Sequence, residues 1–363
     1  MPDLKTGKSL YEDELVVVTT AVHKGKEGFL FHYSNPPRHT VNMDGLASFK
    51  SGLQEIQKQR AYDSFLVMYG DFDPTHAGAD VRDFDGDVQP DLAKDFMVRG
   101  IGIDFIIKEL SKNLTTVGVL SGDHYGGSLE WRLMPEFRVA DSRSRAQFSE
   151  CLIGIVPGWN GILNAMLISG RENAEYLAKT GNPVNAQEMY DIGLVDRVVK
   201  VDFPYPNIRD FEVSSAQSYD EARRQHSDET YAAIMPAALD LAATKKEGID
   251  GIKVKILETL EETKRIVDRR SNPNNYVGIA GRRLRECKTE LSELGGRPIS
   301  PDAVQALNEF FKQFGDYDRG HLLSEFESIA KIEGSMCADL MQTQNRRIGI
   351  RAVLEGVVPS FNK

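Results

Sequence analysis

Residues 15–201 show two repeating patterns of apolar and polar positions, one typical of strands and one of helices. In residues 15–34, LVVVTTAVHKGKEGFLFHYS, two β-rich runs flank a Lys/Gly turn, which predicts a hairpin. From Met43 to Arg60 the apolar residues recur at helical spacing, which predicts an amphipathic helix. These residues are Leu46, Phe49, Leu53 and Ile56.

The alternation of strand and helix continues along the chain. Apolar runs predict strands at 64–71, 115–122, 137–142 and 194–201, and helical spacing predicts helices at 92–110 and near Gly161. An Asp- and Gly-rich loop follows the first of these strands. Strand–strand–helix units of this kind favour an α/β fold in which each unit buries one face on its neighbour.

The composition changes after Val201. Residues 202–229 are polar and contain proline, which predicts a surface loop, and most later segments have helical spacing. The predicted helices are 230–246, 251–270, 302–313 and 320–342. We therefore expect two domains: residues 1–201 as the core that carries the site, and 202–363 as a helical region with a long insertion, used for assembly.

Composition and charge exclude several classes of protein. The 363 residues carry a formal net charge of −10, which argues against nucleic acid or an anionic membrane as partner. The three cysteines are far apart and form no CxxC pair, so neither a zinc cluster nor a disulfide framework is expected. The N-terminal segment is too polar for a signal peptide, and no apolar run is long enough to span a bilayer, so we expect a cytoplasmic protein.

Two glycine-containing motifs follow successive predicted strands. HAGAD (76–80) and GGSLE (126–130) each permit close approach of a ligand to the backbone. Taken singly, the first is more simply a tight turn with Asp80 as a helix cap, and the second a strand-to-helix connection. Together, two backbone N–H groups that converge on one oxygen form an oxyanion hole.

Two glutamates lie in apolar or small-residue contexts near these motifs. Glu130 follows Gly127 by about one helical turn, and Glu150 precedes another glycine turn in QFSECLIGIVPG. A single glutamate is usually a solvated surface residue. Burial of two together raises the pKa of at least one, which suits an acid and a base that act as a pair.

As an ordered set, these blocks resemble the crotonase (enoyl-CoA hydratase/isomerase) superfamily. HAGADVRDF is similar to the family's Ala-Gly-Ala-Asp block, and VGVLSGDHYGGSLEW to its Gly-Gly-Gly-x-Glu block. GIVPGWNG resembles Gly-x-x-Pro-Gly-x-Gly-Gly. TGNPVNAQEMYDIGLVDRVV and LMQTQNRRIGIRAVLEGVVPSF resemble two later blocks. The resemblance covers residues 15–201 and 325–362.

The resemblance implies a crotonase-like spiral of stacked ββα units followed by an extended helical C-terminal region, an acyl-CoA substrate and a homotrimer or homohexamer. By residue, it implies Ala79 and Gly127 as oxyanion-hole donors and Glu130 and Glu150 as the residues that position and activate water. Arg38, His39 and Ala77 fall on the CoA-binding segments. No metal is implied, and no cofactor beyond the CoA of the substrate.

The sequence departs from the family pattern at Asp123, His124, Tyr125 and Ser128. The first three make the acyl pocket more polar than a fatty-acyl pocket, and we add them to the candidate catalytic residues. Together with the chain length, they are most similar to the ring-opening branch of the family. That branch hydrates 6-oxocyclohex-1-ene-1-carbonyl-CoA and hydrolyses a ring C–C bond to give 3-hydroxypimeloyl-CoA in anaerobic aromatic degradation. The alternatives are an ordinary enoyl-CoA hydratase/isomerase and a non-catalytic acyl-CoA-binding protein on the same scaffold.

Overall fold

The strands form two sheets. The computed structural model describes residues 4–59, 64–206, 216–243 and 298–361. The larger sheet has seven strands in the order β1-β2-β3-β4-β6-β8-β11, and the smaller has four in the order β10-β9-β7-β5. The strands are β1 (Leu4–Glu12), β2 (Val16–His23), β3 (Lys26–Tyr33), β4 (Ser64–Gly70), β5 (Thr75–His76), β6 (Leu114–Leu120), β7 (Asp123–Tyr125), β8 (Phe137–Asp141), β9 (Arg145–Gln147), β10 (Val184–Asn185) and β11 (Arg197–Val199).

Helices cover both faces of the larger sheet. The helices are α1 (Met43–Lys58), α2 (Pro90–Leu110), α3 (Gly127–Leu133), α4 (Gly161–Ser169), α5 (Arg171–Thr180), α6 (Ala186–Asp191), α7 (Ala216–Ala242), α8 (Pro301–Phe314), α9 (Arg319–Ser324), α10 (Phe326–Leu340) and α11 (Gln344–Glu355). One apolar core lies between the sheet and the helices that include α1 to α5. A second core lies between the opposite face and α7.

The strand pairing explains which apolar runs are continuous. β2 and β3 form the antiparallel hairpin expected from the sequence, and their turn at Lys24 and Gly25 has φ values of 51° and 79°. β3, β4, β6, β8 and β11 then pair in parallel. Every residue of β6 is buried, as is usual for a parallel strand covered on both sides.

The α/β fold and most of its predicted elements are confirmed, with differences at the two ends of the chain. The sequence did not indicate β1, which is largely exposed and polar but pairs with β2 at the edge of the sheet. The predicted loop at 202–229 is wrong in its second half, because α7 begins at Ala216. Its polar side chains bond to the core: Arg223 donates to Asp73, and the Arg143 guanidinium lies 2.8 Å from His226 Nε2.

The C-terminal helices pack back on the core. The predicted helix 320–342 is divided into α9 and α10, and the predicted helix 251–270 lies outside the described residues. Leu322 and Ile329, two apolar residues of the helical region that we expected to serve assembly, are buried within the chain itself. These two side chains are therefore not available to another subunit.

The proposed division at residue 201 stays a prediction. In the structure, α7 from the second segment covers the sheet of the first, where Ile234, Met235 and Leu239 are buried against β4, β6 and β8. Among the helices that the structure describes, none has the length and apolar character that crossing a bilayer requires.

Candidate active site

The first functional feature is a pair of backbone segments that lie side by side. β5 and β7 pair in parallel, with His76 opposite His124. Beyond β5, Val41 N–H donates to Gly78 O, and Val41 O accepts from Asp80 N–H, so the intervening Ala79 directs its own N–H away from Val41. Beyond β7, Gly127 opens α3, where the first backbone N–H groups have no partner within the helix.

The glycines in these segments permit contact between the two backbones. A Cβ on Gly78 would lie 2.5 Å from Gly127 N, and Gly126 has φ 50°, so neither position accepts a side chain without strain. Asp80 also caps the short 3₁₀ helix Val81–Phe84 by accepting from Arg82 N–H at 3.1 Å. The turn expected at HAGAD and the close approach of two backbones are therefore both present.

Glu130 lies on the first turn of α3 and is 4% exposed. Its Oε1 accepts N–H bonds from Trp159 at 2.7 Å and Gly161 at 3.1 Å. A Cβ on Gly161 would lie 2.8 Å from this oxygen, so a glycine is needed here to leave space for the carboxylate.

Glu150 begins the second 3₁₀ helix, Glu150–Ile153, and is 6% exposed. Neither of its carboxylate oxygens accepts a hydrogen bond from the residues that the structure describes. Its Oε1 lies 3.0 Å from where a Cβ on Gly126 would be. A buried carboxylate without a hydrogen-bond partner destabilises the folded state, and such groups often mark functional sites.

The two carboxylates have different proton affinities. Burial raises the pKa of Glu130 to about 7, and the N–H bonds from Trp159 and Gly161 oppose that rise. Burial, together with the charge of Glu130, raises the pKa of Glu150 well above its ordinary value. Glu150 therefore holds its proton more tightly than an ordinary glutamate, while Glu130, with a pKa of about 7, is partly ionised at neutral pH. This difference suits an acid and a base in one site.

Two further acids hold the loop that binds Glu130. Asp104 accepts from the side-chain amides of Asn160 and Asn164, at 2.8 and 3.0 Å. Glu333, on α10, is fully buried and accepts from Ile162 N–H and Leu163 N–H, at 3.1 and 2.9 Å.

Asp104 and Glu333 are not among the candidate residues that the sequence indicated. A signal for Glu333 was present, because it occupies the apolar face of a helix, four residues after Ile329 and four before Cys337. An acid at such a position is buried and needs donors.

His124 belongs to a buried stack of histidines. The ring centroids of His39 and His76 are 4.8 Å apart, and those of His76 and His124 are 4.7 Å apart. Burial, with the charge of Arg132 as the next cause, holds the pKa of both His76 and His124 well below the usual range, so both are neutral. His124 has no exposed surface, and its position is that of a packing residue between β5 and β7.

Ser128, which replaces the third glycine of the family block, joins this stack to α3. Its Oγ accepts from Arg132 at 2.8 Å and lies 3.3 Å from His124 Nδ1. The guanidinium also donates to Val119 O and Ser128 O, so carbonyl oxygens solvate this buried cation. The departure from glycine therefore has a structural reason.

Asp123 and Tyr125 lie on the other face of β7 and are partly exposed. Asp123 forms an ion pair with Arg145, whose Nε donates at 2.7 Å, and it accepts from the Tyr125 hydroxyl at 3.2 Å. The three polar residues thus have separate surroundings, and they do not converge on one point.

The predicted CoA-binding residues lie in two adjacent segments. Ala77 N–H donates to Arg38 O at 2.8 Å, and the Arg38 side chain is exposed. His39 is 2% exposed, has φ 51°, and is paired with Asp73 at 2.9 Å. A contact between His39 and CoA therefore requires this pair to open, whereas Arg38 is accessible as it stands.

The side chains of His39, Asp71 and Asp73 lie close enough to suit a metal ion, with ligand atoms within 4.8 Å of one another. Each of these three side chains already has a hydrogen-bonding or ionic partner. Asp71 pairs with His32 at 2.7 Å, and Asp73 pairs with both His39 and Arg223. These ion pairs account for the cluster without a metal.

A cleft of about 290 Å³ lies beside these segments, lined by Asn42, Met43, Asp44, Asp83, Phe84, Leu92 and Phe96. Its inner wall is aromatic, since Phe96 contacts both Phe84 and Trp159 with ring centroids 5.0 Å apart in each case. Trp159 connects this wall to the loop that binds Glu130.

Comparison with known proteins supports the assignment of the fold and family. Residues 77–251 match the family model described as enoyl-CoA hydratase/isomerase. The chain is 27% identical over 180 residues to the crotonyl-CoA hydratase of Syntrophomonas wolfei, covering 49% of this chain and 68% of that protein. It is 25% identical over 345 residues to the glyoxysomal fatty acid beta-oxidation multifunctional protein MFP-a of Brassica napus, covering 88% of this chain but 43% of that protein.

Solved structures show the same fold. The crystal structure of an enoyl-CoA hydratase from Mycobacterium avium matches with a TM-score of 0.54 at 15% identity, over 96% of this chain and 99% of that one. This likeness shows that the chain has the crotonase fold, with a helical C-terminal region. The match over residues 77–251 and the ordered sequence blocks make it similar to the enoyl-CoA hydratase/isomerase family. The multifunctional relative is more than twice as long as the matched part, so its whole activity is not carried over.

Proposed function

We propose that the protein is an enoyl-CoA hydratase, which adds water across the double bond of an enoyl-CoA thioester. The observation that carries the proposal is the pair formed by Glu130 and Glu150, buried together beside Gly126 and Gly127, with one carboxylate bound by N–H groups and the other without a partner among the described residues. The family match and the likeness to a crotonyl-CoA hydratase support the same reaction.

In the proposed reaction, the thioester oxygen accepts hydrogen bonds from Ala79 N–H and Gly127 N–H. Ionised Glu130 removes a proton from water as the water oxygen bonds to C3. The C2–C3 double bond supplies the electrons that become an enolate on the thioester oxygen. Glu150 then gives its proton to C2. The two N–H groups stabilise charge that develops in the transition state, which is the type of interaction that raises kcat.

Ring opening is the second candidate. It uses the same N–H groups and glutamates, because cleavage of a ring C–C bond next to a thioester also leaves an enolate on the thioester oxygen. Its sequence support was the Asp123, His124 and Tyr125 triplet. Since His124 is fully buried and Asp123 is paired with Arg145, the geometry favours the simple hydratase.

A panel of thioesters analysed by product mass tests the proposal. We expect crotonyl-CoA to gain the mass of one water, and the gain to disappear in a Glu130→Gln, Glu150→Gln double variant. A gain of two waters with 6-oxocyclohex-1-ene-1-carbonyl-CoA would support ring opening instead. Binding of both thioesters without any change in mass would support the non-catalytic alternative.

We also propose that the protein assembles as a homotrimer or homohexamer. Family resemblance supports this, and so does a group of exposed apolar side chains at the end of α11: Val353, Leu354, Val357 and Val358 are 43–71% exposed. Contiguous exposed apolar residues of this kind often mark protein interfaces.

A further inference from the structure

The Trp159 side chain fills the space beside the proposed oxyanion hole. The indole lies between α2 and the start of α3. A Cβ on Gly100 would come within 2.1 Å of its Cδ1, and a Cβ on Gly127 within 2.6 Å of its Cζ3. Both glycines are therefore required to make room for this side chain. Trp159 is 2% exposed.

The same residue is fixed at the reacting centre by its backbone. Trp159 N–H donates to Glu130 Oε1 at 2.7 Å. An acyl group whose thioester oxygen lies at Gly127 and whose C2 and C3 lie near Glu130 must therefore pass close to the indole. Trp159 also contacts Phe96, with ring centroids 5.0 Å apart, so the two rings form one aromatic wall beside this path.

The polar atom of the indole does not explain the presence of tryptophan. Trp159 Nε1 is buried and has no hydrogen-bond acceptor among the described residues. A tryptophan selected for its N–H group would have an acceptor, because a buried donor without one costs stability. The shape of the ring is what the surroundings accommodate.

From these contacts we propose that Trp159 determines substrate specificity by closing the far end of the acyl pocket, so that the site takes compact, short-chain acyl-CoA thioesters of crotonyl size. This inference rests on the proposed function for the position of the acyl group. It adds the class of substrate and the residue that selects it.

The first test is a chain-length series with crotonyl-, hexenoyl- and decenoyl-CoA. We expect the wild type to prefer crotonyl-CoA by about ten-fold or more in kcat/KM over the longer thioesters, the scale at which a hydrophobic pocket discriminates. Trp159→Leu should reduce that preference at least about ten-fold. The chain-length preference of Trp159→Phe, which keeps an aromatic ring, should lie between those of the wild type and Trp159→Leu. A wild type that turns over decenoyl-CoA as well as crotonyl-CoA would overturn the proposal.

Trp131→Phe is the matched control, since the chain has two tryptophans and both are buried. Trp131 packs on Phe49 of α1 and on Arg132. This variant should keep the chain-length preference of the wild type. An equal change in both variants would mean that general loosening of the core, rather than the Trp159 wall, governs the preference.

Binding of saturated thioesters separates the two proposals. Butyryl-, hexanoyl- and decanoyl-CoA need no chemistry, so calorimetry reports pocket size even if hydration does not occur. Tight binding of butyryl-CoA with weak binding of decanoyl-CoA supports the pocket whether or not the protein is a hydratase. Equal binding of all three thioesters would contradict only the proposal that Trp159 closes the pocket. Failure of all acyl-CoA thioesters to bind would contradict both proposals.

Fluorescence gives a readout independent of turnover. In Trp131→Phe, emission comes from Trp159 alone, and butyryl-CoA should change its intensity or wavelength. In Trp159→Phe the remaining Trp131 should respond less. A response confined to Trp131 would place the acyl group elsewhere and contradict the proposal.

Discussion

At the scale of single residues, the candidate site depends on the different surroundings of two buried glutamates. Glu130 has N–H donors from the 158–161 turn, whereas Glu150 has none among the described residues. The difference in hydrogen bonding, together with their mutual repulsion, separates their proton affinities. The proposed addition of water needs one glutamate that accepts a proton and another that donates one, and this difference in proton affinity suits those two roles.

Replacement of either glutamate should abolish most of the activity. We expect Glu130→Gln and Glu150→Gln each to lower kcat with crotonyl-CoA by about 10²-fold or more, because each removes one partner in proton transfer. Binding of butyryl-CoA should change little. Near-wild-type turnover in either variant would remove that residue from the mechanism.

The pH dependence of the wild type should follow the pKa of Glu130. Since the base must be ionised, kcat/KM for crotonyl-CoA should rise as the pH increases through about 7. Activity should fall again at higher pH, when Glu150 loses its proton. A value of kcat/KM that does not change between about pH 5.5 and about pH 8.5 would contradict these roles.

Glu130 should also make the protein less stable as the pH rises. Its pKa in the folded protein is about 7, above the ordinary value of 4.5, so the folded state holds a proton that the unfolded state has lost. The free energy of unfolding should therefore decrease from about pH 4.5 to about pH 7, by roughly 3 kcal/mol from this group. Urea unfolding of Glu130→Gln across this range should show a smaller decrease. Parallel curves for the two proteins would contradict burial of a titrating Glu130.

At the scale of elements, two backbone segments and one turn form the site. From the sequence, Ala79, Gly127, Glu130 and Glu150 are candidates because each lies in or next to a glycine-containing motif, and their roles stay predictions. The sequence was not sufficient to separate the faces of the three-residue strand β7. There, His124 points into the core while Asp123 and Tyr125 do not. Such a short strand has too few positions for a period of two to be recognised.

The sequence also did not predict the contacts between elements that are far apart in the chain. Asn160 and Asp104 are joined across a loop and a helix, and Glu333 reaches the start of α4 from the far end of the chain. No local pattern specifies such pairs, since they depend on how helices pack. Residues 251–270, predicted as a helix, lie outside the described part of the chain.

Two glycines on α2 provide a matched test of the Trp159 contact. Gly100→Ala should destabilise the protein by about 1–3 kcal/mol, because its methyl group would overlap the rigid indole ring. Gly102 has nothing within 4 Å of an added Cβ. Gly102→Ala should instead stabilise the helix by about 0.5–1 kcal/mol. Denaturant unfolding distinguishes the two, and equal effects would contradict the packing of Trp159 against α2.

At the scale of the whole molecule, the C-terminal helices complete the core rather than extend from it. α11 packs on the 3₁₀ helix that carries Glu150, where a Cβ on Gly154 would lie 2.6 Å from the Arg346 backbone. The Arg346 guanidinium donates to Phe84 O and Gly86 O, the latter at 2.9 Å. The 3₁₀ helix that follows HAGAD and the one that carries Glu150 are therefore both supported by α11.

The proposed assembly state is tested by light scattering coupled to size exclusion. We expect the mass of a trimer or a hexamer at micromolar concentration, because the exposed residues Val353, Leu354, Val357 and Val358 offer an apolar surface. Val358→Glu, at 71% exposure, should shift the protein towards smaller species without loss of folding. A monodisperse wild-type monomer would contradict the proposal.

The bond between Glu333 and the start of α4 bears on when the protein becomes active during its synthesis. Glu130 and the turn that it binds leave the ribosome well before Glu333 does. Until α10 arrives, Ile162 N–H and Leu163 N–H lack the carboxylate that holds them. The turn that binds Glu130 is therefore secured late, and a nascent chain that ends before α10 lacks the finished site.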